Sequence, residues 1–131
     1  MIDREIQIFN RAYPAVAPLC ARNRFVSTAI TEPLTAFPAA SLIEIGNRTV
    51  SERQSSTPVE NYALVTFQLD VFATSKSDCR KVYAAADTEM IAMNFTRTSG
   101  QYIAVPGNTK VFRYTARYEA IIDTEGNIYR R

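Results

Sequence analysis

Histidine is missing from this chain, which leaves carboxylates as the only side chains suited to general acid–base chemistry. Its absence also removes Ser-His-Asp and Cys-His catalysis and every zinc site that needs imidazole. Asp70, Glu44 and Glu119 fall on segments with strand patterning, where two could meet across a sheet as acid and base. The competing reading is that each faces solvent or an arginine on a neighbouring strand. It is the stronger of the two, because no spacing in the sequence brings two carboxylates together. Cys20 and Cys79 are the only cysteines and lie far apart, so there is no Cys-x-x-Cys pair. Gly46, Gly100, Gly107 and Gly126 stand singly, which excludes a glycine-rich phosphate loop. The expectation is no catalytic residue, no metal and no cofactor.

The basic residues carry more information. Twelve of the fifteen are arginine, and only Lys76, Lys81 and Lys110 are lysine. Arginine is weakly hydrated and forms planar, bidentate contacts, which suits interfaces where charge is partly buried. Arg113 and Arg117 share with Glu119 the polar side of the last long strand. A nucleic-acid reading would use these arginines with Tyr102, Tyr114 or Tyr118 as stacking platforms. Against it, Tyr114 and Tyr118 alternate in phase with Ala116 and Ile122, which directs them to a core. The net charge of +2 is also far from the footprint of a dedicated nucleic-acid binder. A subunit interface accounts for the same residues with fewer assumptions. Met90, Met93 and Cys79 recur at helical spacing and read as core filler.

The elements that would position these groups follow from periodicity. A chain of 131 residues with 47% hydrophobic composition suits one domain, residues 1–131. Ile2, Ile6, Phe9 and Tyr13 form one helical stripe over residues 2–13, which Pro14 is expected to end. A short strand is expected around residues 24–30. Residues 39–45 alternate as a strand that Gly46-Asn47 closes. Residues 61–74 form the longest strand candidate, with Ala63, Val65, Phe67, Leu69, Val71 and Ala73 on one face. Ser75 and Asp78 have capping-box spacing ahead of a helix that carries Cys79, Val82, Ala86, Met90 and Met93 and ends near Asn94. Residues 95–105 read as extended but broken at Ser99-Gly100, and residues 111–123 as a clear strand. Residues 124–127 then turn the chain, and Ile128-Tyr129 returns along it. The order predicts an α+β fold: a single layered domain with a mostly antiparallel or mixed sheet of four or five strands, two helices packed on one face, and a long polar hairpin loop.

That loop is residues 47–60, in which only Val50 and Val59 are apolar. It reads as too polar for a core and long for a hairpin, and segments of that kind in compact domains are usually functional. Arg48, Glu52 and Arg53 within it are candidates for charge-assisted bonds to another molecule. Asp3, Arg4, Glu5 and Arg11 make the first twenty residues unlike a signal peptide, and no apolar run approaches the roughly 18 residues needed to span a bilayer. No membrane association is expected.

Several runs together resemble a known family. They are Phe37-Pro38-Ala39-Ala40-Ser41-Leu42-Ile43-Glu44-Ile45, then Glu60-Asn61-Tyr62-Ala63 leading into Phe67-Gln68-Leu69-Asp70-Val71-Phe72, then Asn94-Phe95-Thr96-Arg97-Thr98. Arg113-Tyr114-Thr115-Ala116-Arg117-Tyr118 and Ile128-Tyr129-Arg130-Arg131 complete the set. From Phe37 to Arg131 the chain resembles the tail terminator (tail-to-head joining, or tail completion) proteins of long-tailed bacteriophages. Asn94 departs from the pattern, standing where such relatives often have glycine. The resemblance implies a non-enzymatic virion protein of the phage neck, assembled in the host cytoplasm. It implies a homo-hexameric ring that caps the tail tube, ends tail elongation and joins the tail to the head connector. The implied partners are the tail tube protein and a stopper or adaptor of the connector, with DNA passing through the ring without specific nucleic-acid binding. Arg48, Glu52, Arg53, Arg113, Arg117 and Glu119 are then the candidate subunit or tube interface. The alternatives are another neck ring, such as an adaptor or stopper, and a small cellular RNA- or protein-binding α+β module.

Overall fold

Alternation with period two builds the two long central strands, and everything else is arranged around them. The computed structural model describes residues 2–22, 24–28, 30, 36–50, 62–105 and 110–130. In chain order these form α1 (Glu5–Val16) with a following 3₁₀ turn (Ala17–Leu19), β1 (Phe25–Val26), β2 (Ala39–Thr49), β3 (Tyr62–Ala73), α2 (Lys76–Ala92), β4 (Thr96–Ile103), β5 (Phe112–Asp123) and β6 (Ile128–Arg130). The architecture is α+β, with a mixed six-stranded sheet in the order β1-β2-β3-β5-β4 and β6 also on β5. Two of the strands are two or three residues long, and the return at Ile128–Arg130 pairs with β5 as a sixth strand. β1 pairs parallel to β2, and every other pairing is antiparallel. β3 lies at the centre, matched to β5 along its full length from Tyr62↔Asp123 to Ala73↔Phe112.

Both helices cover one face of this sheet. Val65, Phe67, Leu69 and Val71 of β3 and Ala116, Tyr118, Ala120 and Ile122 of β5 meet Cys79, Val82, Ala86 and Met90 of α2 in a single core. Ser75 caps α2, its Oγ accepting from the Asp78 N–H at 3.1 Å, and Asn94 ends the helical segment at φ 71°. Met93 is buried in the same core. Phe95 joins it edge-on to Phe67, with ring centroids 5.5 Å apart.

Three elements depart from the patterning. α1 passes through Pro14 and ends at Val16, not before the proline. The proline lacks a donor for the Asn10 carbonyl, but both residues are exposed, so water can serve that carbonyl. α1 also turns a different stripe inward. Ile8, Ala12 and Val16 are buried, whereas Ile6 is 68% and Tyr13 42% exposed. Ala12 is fully buried in the core, a placement that hydrophobicity alone does not reveal. β2 does not stop at Gly46 but continues to Thr49 through a bulge between Glu44 and Gly46. Residues 47–49 of the expected loop are therefore strand, and Val50 is buried with Leu64 and Ile121. The rest of that loop, including Glu52 and Arg53, lies outside the described residues. Finally, β4 runs unbroken through Ser99-Gly100, absorbing the irregularity in a bulge between Arg97 and Ser99.

Candidate functional site

The sheet face opposite the helices gathers the polar side chains of the long strands. Register places Ser41, Asp70, Thr115 and Gln101 in one row across it, and Ile43, Gln68, Arg117 and Ser99 in the next. Leu64, Ile121 and Val50, with Tyr62 against them, form a small, already buried apolar patch toward the Tyr62 end of β3. Beside that patch the β2 bulge opens a shallow depression of about 250 Å³ lined by Gly46, Asn47, Arg48, Leu64, Thr66 and Glu119.

The six candidate residues are distributed unevenly here. Arg48 and Glu119, 71 positions apart in sequence by their numbers, both line the depression. Arg117 is exposed between Gln68 and Ser99. Arg113 is committed within the chain: its Nη2 and Nε donate to Asp70 Oδ1 at 2.9 and 3.1 Å. Gln68 donates to the other oxygen, Asp70 Oδ2, at 2.9 Å, and the Arg113 guanidinium also lies over the Phe72 ring. Asp70 is 7% exposed, so this pairing keeps a nearly buried carboxylate satisfied. Opposite charges on the polar sides of two long strands were the signal for it. Their diagonal juxtaposition required the register, in which Phe72 stands against Arg113 and Asp70 against Thr115.

The carboxylates do not assemble into an acid–base pair across the sheet. Asp70 faces Arg113, and Glu119 stands opposite Thr66. Glu44 instead meets α1, its backbone N–H donating to Glu5 Oε2 at 2.9 Å. Burial raises the Glu44 pKa, and the charges of Glu5 and Asp3 raise it further, while Asn47 opposes the shift. Glu44 Oε1 and Asn47 Oδ1 are buried acceptors without a donor. Sequence patterning gave no hint of this contact, since α1 and β2 are joined only by tertiary packing.

Two further clusters flank the sheet. Tyr83 stacks on Tyr114 at 3.9 Å between centroids, Tyr102 meets Tyr114 edge-on, and Lys76 Nζ sits over the Tyr102 ring at 5.2 Å. On the same side of the sheet, Tyr118 donates to Asp87 Oδ1 at 2.7 Å, and Arg97 pairs with the same oxygen at 3.3 Å. Burial, then the Asp87 contact, pushes the Tyr118 hydroxyl far above its ordinary pKa, so it stays a proton donor. Cys20 and Cys79 are free thiols whose pKa burial pushes up to about 11, which leaves them unreactive at neutral pH. Among the described residues no cluster of three or more His, Cys, Asp or Glu could hold a metal, and no helix is long and apolar enough to cross a membrane.

No protein-family model matches the chain, and no match emerges from comparison with curated proteins.

Proposed function

We propose that the chain is a structural subunit of a phage neck, forming a ring that caps the tail tube, ends tail elongation and joins the tail to the head connector. One observation carries this reading on the structural side. The sheet has one face sealed by helices, while the other presents a shallow depression and the exposed Arg117. Such a surface suits docking: a rigid sheet platform that offers polar groups able to pair across a joint. The motif resemblance from Phe37 onward supplies the specific role.

Native mass of the purified chain, with and without the phage's own tail tubes, tests the proposal. The expected result is a discrete hexamer, or a monomer that becomes one on adding tubes. Arg117→Glu should weaken tube capping at unchanged thermal stability, because Arg117 is exposed and outside the Asp70 pair. A monomer indifferent to tubes that binds nucleic acid in a salt-sensitive way would instead indicate a cellular binding module.

A further inference from the structure

Charge is segregated along the strand axis. At the end where β3 finishes, marked by Ala73, lie all three lysines, Lys76, Lys81 and Lys110, with Arg22, Arg24 and Arg80. Arg22 and Arg24 belong to this end because the segment around them bonds to Pro38 and Ala40 at the start of β2. Only two described acids share it: Asp78, and Asp70, which Arg113 holds. Toward the other end, marked by Tyr62, stand Asp3, Glu5, Glu44, Glu119, Asp123 and Glu125. The described cations of that half are Arg4, Arg11, Arg48, Arg97 and Arg130; Arg97 is paired with Asp87, and Arg4 and Arg11 line one depression with Glu125.

Four features fit the two ends for contact. Lys76 opens α2 and adds to the positive end of its dipole, where Asp78 is the one acid of the first turn, and Arg80 follows one turn later. Arg22, Arg24, Arg80 and Lys81 have no ion-pair partner among the described residues. At the opposite end Asp123 is organised as an anion by N–H donors of Glu125 and Asn127, the Asn127 amide and the Tyr129 hydroxyl. Exposed tyrosines stand at both ends, Tyr102 at 39% beside Lys76 and Tyr129 at 41% beside Asp123. Tyrosine is among the residues enriched where interfaces are held most tightly.

We infer that copies of this chain join head to tail, the lysine-bearing end of one copy seated on the carboxylate-bearing end of the next. The complement to each end is present on the same molecule, and the near-balanced charge of the whole favours a second copy over a polyanion. Two unlike surfaces on one chain make a heterologous joint, which closes into a ring when the rotation per copy permits. The inference rests on the ring reading above and assigns its subunit joint to the sheet's ends. The polar face is thereby left for the tube.

Charge reversal tests it. Arg80→Glu with Lys81→Glu alters the basic end, and Asp3→Lys with Glu125→Lys the acidic end, all at exposed positions. Sedimentation equilibrium at low salt should show association weakened about tenfold or more in either variant, and restored when the two are mixed. Wild-type association should also fall as salt rises from about 0.05 to about 0.5 M. Circular dichroism verifies each fold, and Glu125→Lys alone serves if the Asp3 change loosens α1. A wild type that forms a closed ring untouched by either reversal would overturn the joint and leave the ring standing. Open chains that both reversals dissolve would uphold the joint and remove the ring. A wild type that stays monomeric at low salt, or a mixture that fails to recover, would overturn the joint.

Discussion

Burial raises the pKa of Glu44, and the neighbouring carboxylates of Glu5 and Asp3 add to the rise. A carboxyl whose folded pKa lies above its unfolded value is penalised when charged, so its contribution favours folding at low pH. That contribution is lost as pH rises from about the ordinary 4.5 through the raised value. A proton on Glu44 would also turn one of two buried, orphaned acceptors into a donor. Glu44→Gln should therefore raise the urea midpoint at pH 7 and lose its advantage in acid. A variant no more stable than wild type at pH 7 would show that solvent already relieves the site. Asp70 illustrates the opposite arrangement: nearly buried, it remains tolerable because Arg113 and Gln68 occupy both its oxygens. Nothing in the sequence distinguished these two acids, since both sit in strands of similar composition.

β4 depends on a glycine for a reason unrelated to turns. A Cβ at Gly100 would run into the hydroxyl of Tyr114, whose ring crosses over the strand in contact with Tyr83 and Tyr102. At Gly46, in the β2 bulge, the nearest atoms to such a Cβ are those of Thr66 at 3.5 Å, an ordinary contact. Gly100→Ala should consequently cost about 1–3 kcal/mol in denaturant unfolding, the range of a strained overpacked site. Gly46→Ala should be neutral or stabilising by up to about 1 kcal/mol through the unfolded chain. Equal effects at the two positions would contradict the Tyr114 overlay. The Ser99-Gly100 pair looks like a strand break in sequence because glycine there is indistinguishable from a turn glycine until its cross-strand neighbour is known.

The core is shared by both helices and by β2, β3 and β5, and among the described residues the second cluster holds only Val50, Leu64 and Ile121 with Tyr62 against them. Calorimetry should accordingly give one unfolding transition with an enthalpy of about 90 kcal/mol near about 60 °C and equal calorimetric and van't Hoff values. Two resolved transitions would mean that α1 or the far strands unfold independently. The same arrangement polarises the molecule. Because α1 and α2 run antiparallel over a common sheet, residues distant in sequence accumulate at the same end. Arg22, Lys76 and Lys110 come from three separate connections and still lie together.

The α+β class, the two long strands with their inward faces, and the capped second helix were all legible in the order of residues. Each is set by local physics: alternation, helical spacing, a capping serine and an asparagine able to take positive φ. Pairing and docking decided the rest. The α1 stripe depended on which side of the helix met the core, and the extent of β2 on cross-strand bonds beyond a glycine. The Glu5–Glu44 contact, the Arg113–Asp70 pair and the separation of charge into two ends depended on which elements became neighbours. Periodicity reports the environment of a residue within its own element. Only the folded chain, by bringing remote elements into contact, determines which charges meet and which are left facing outward.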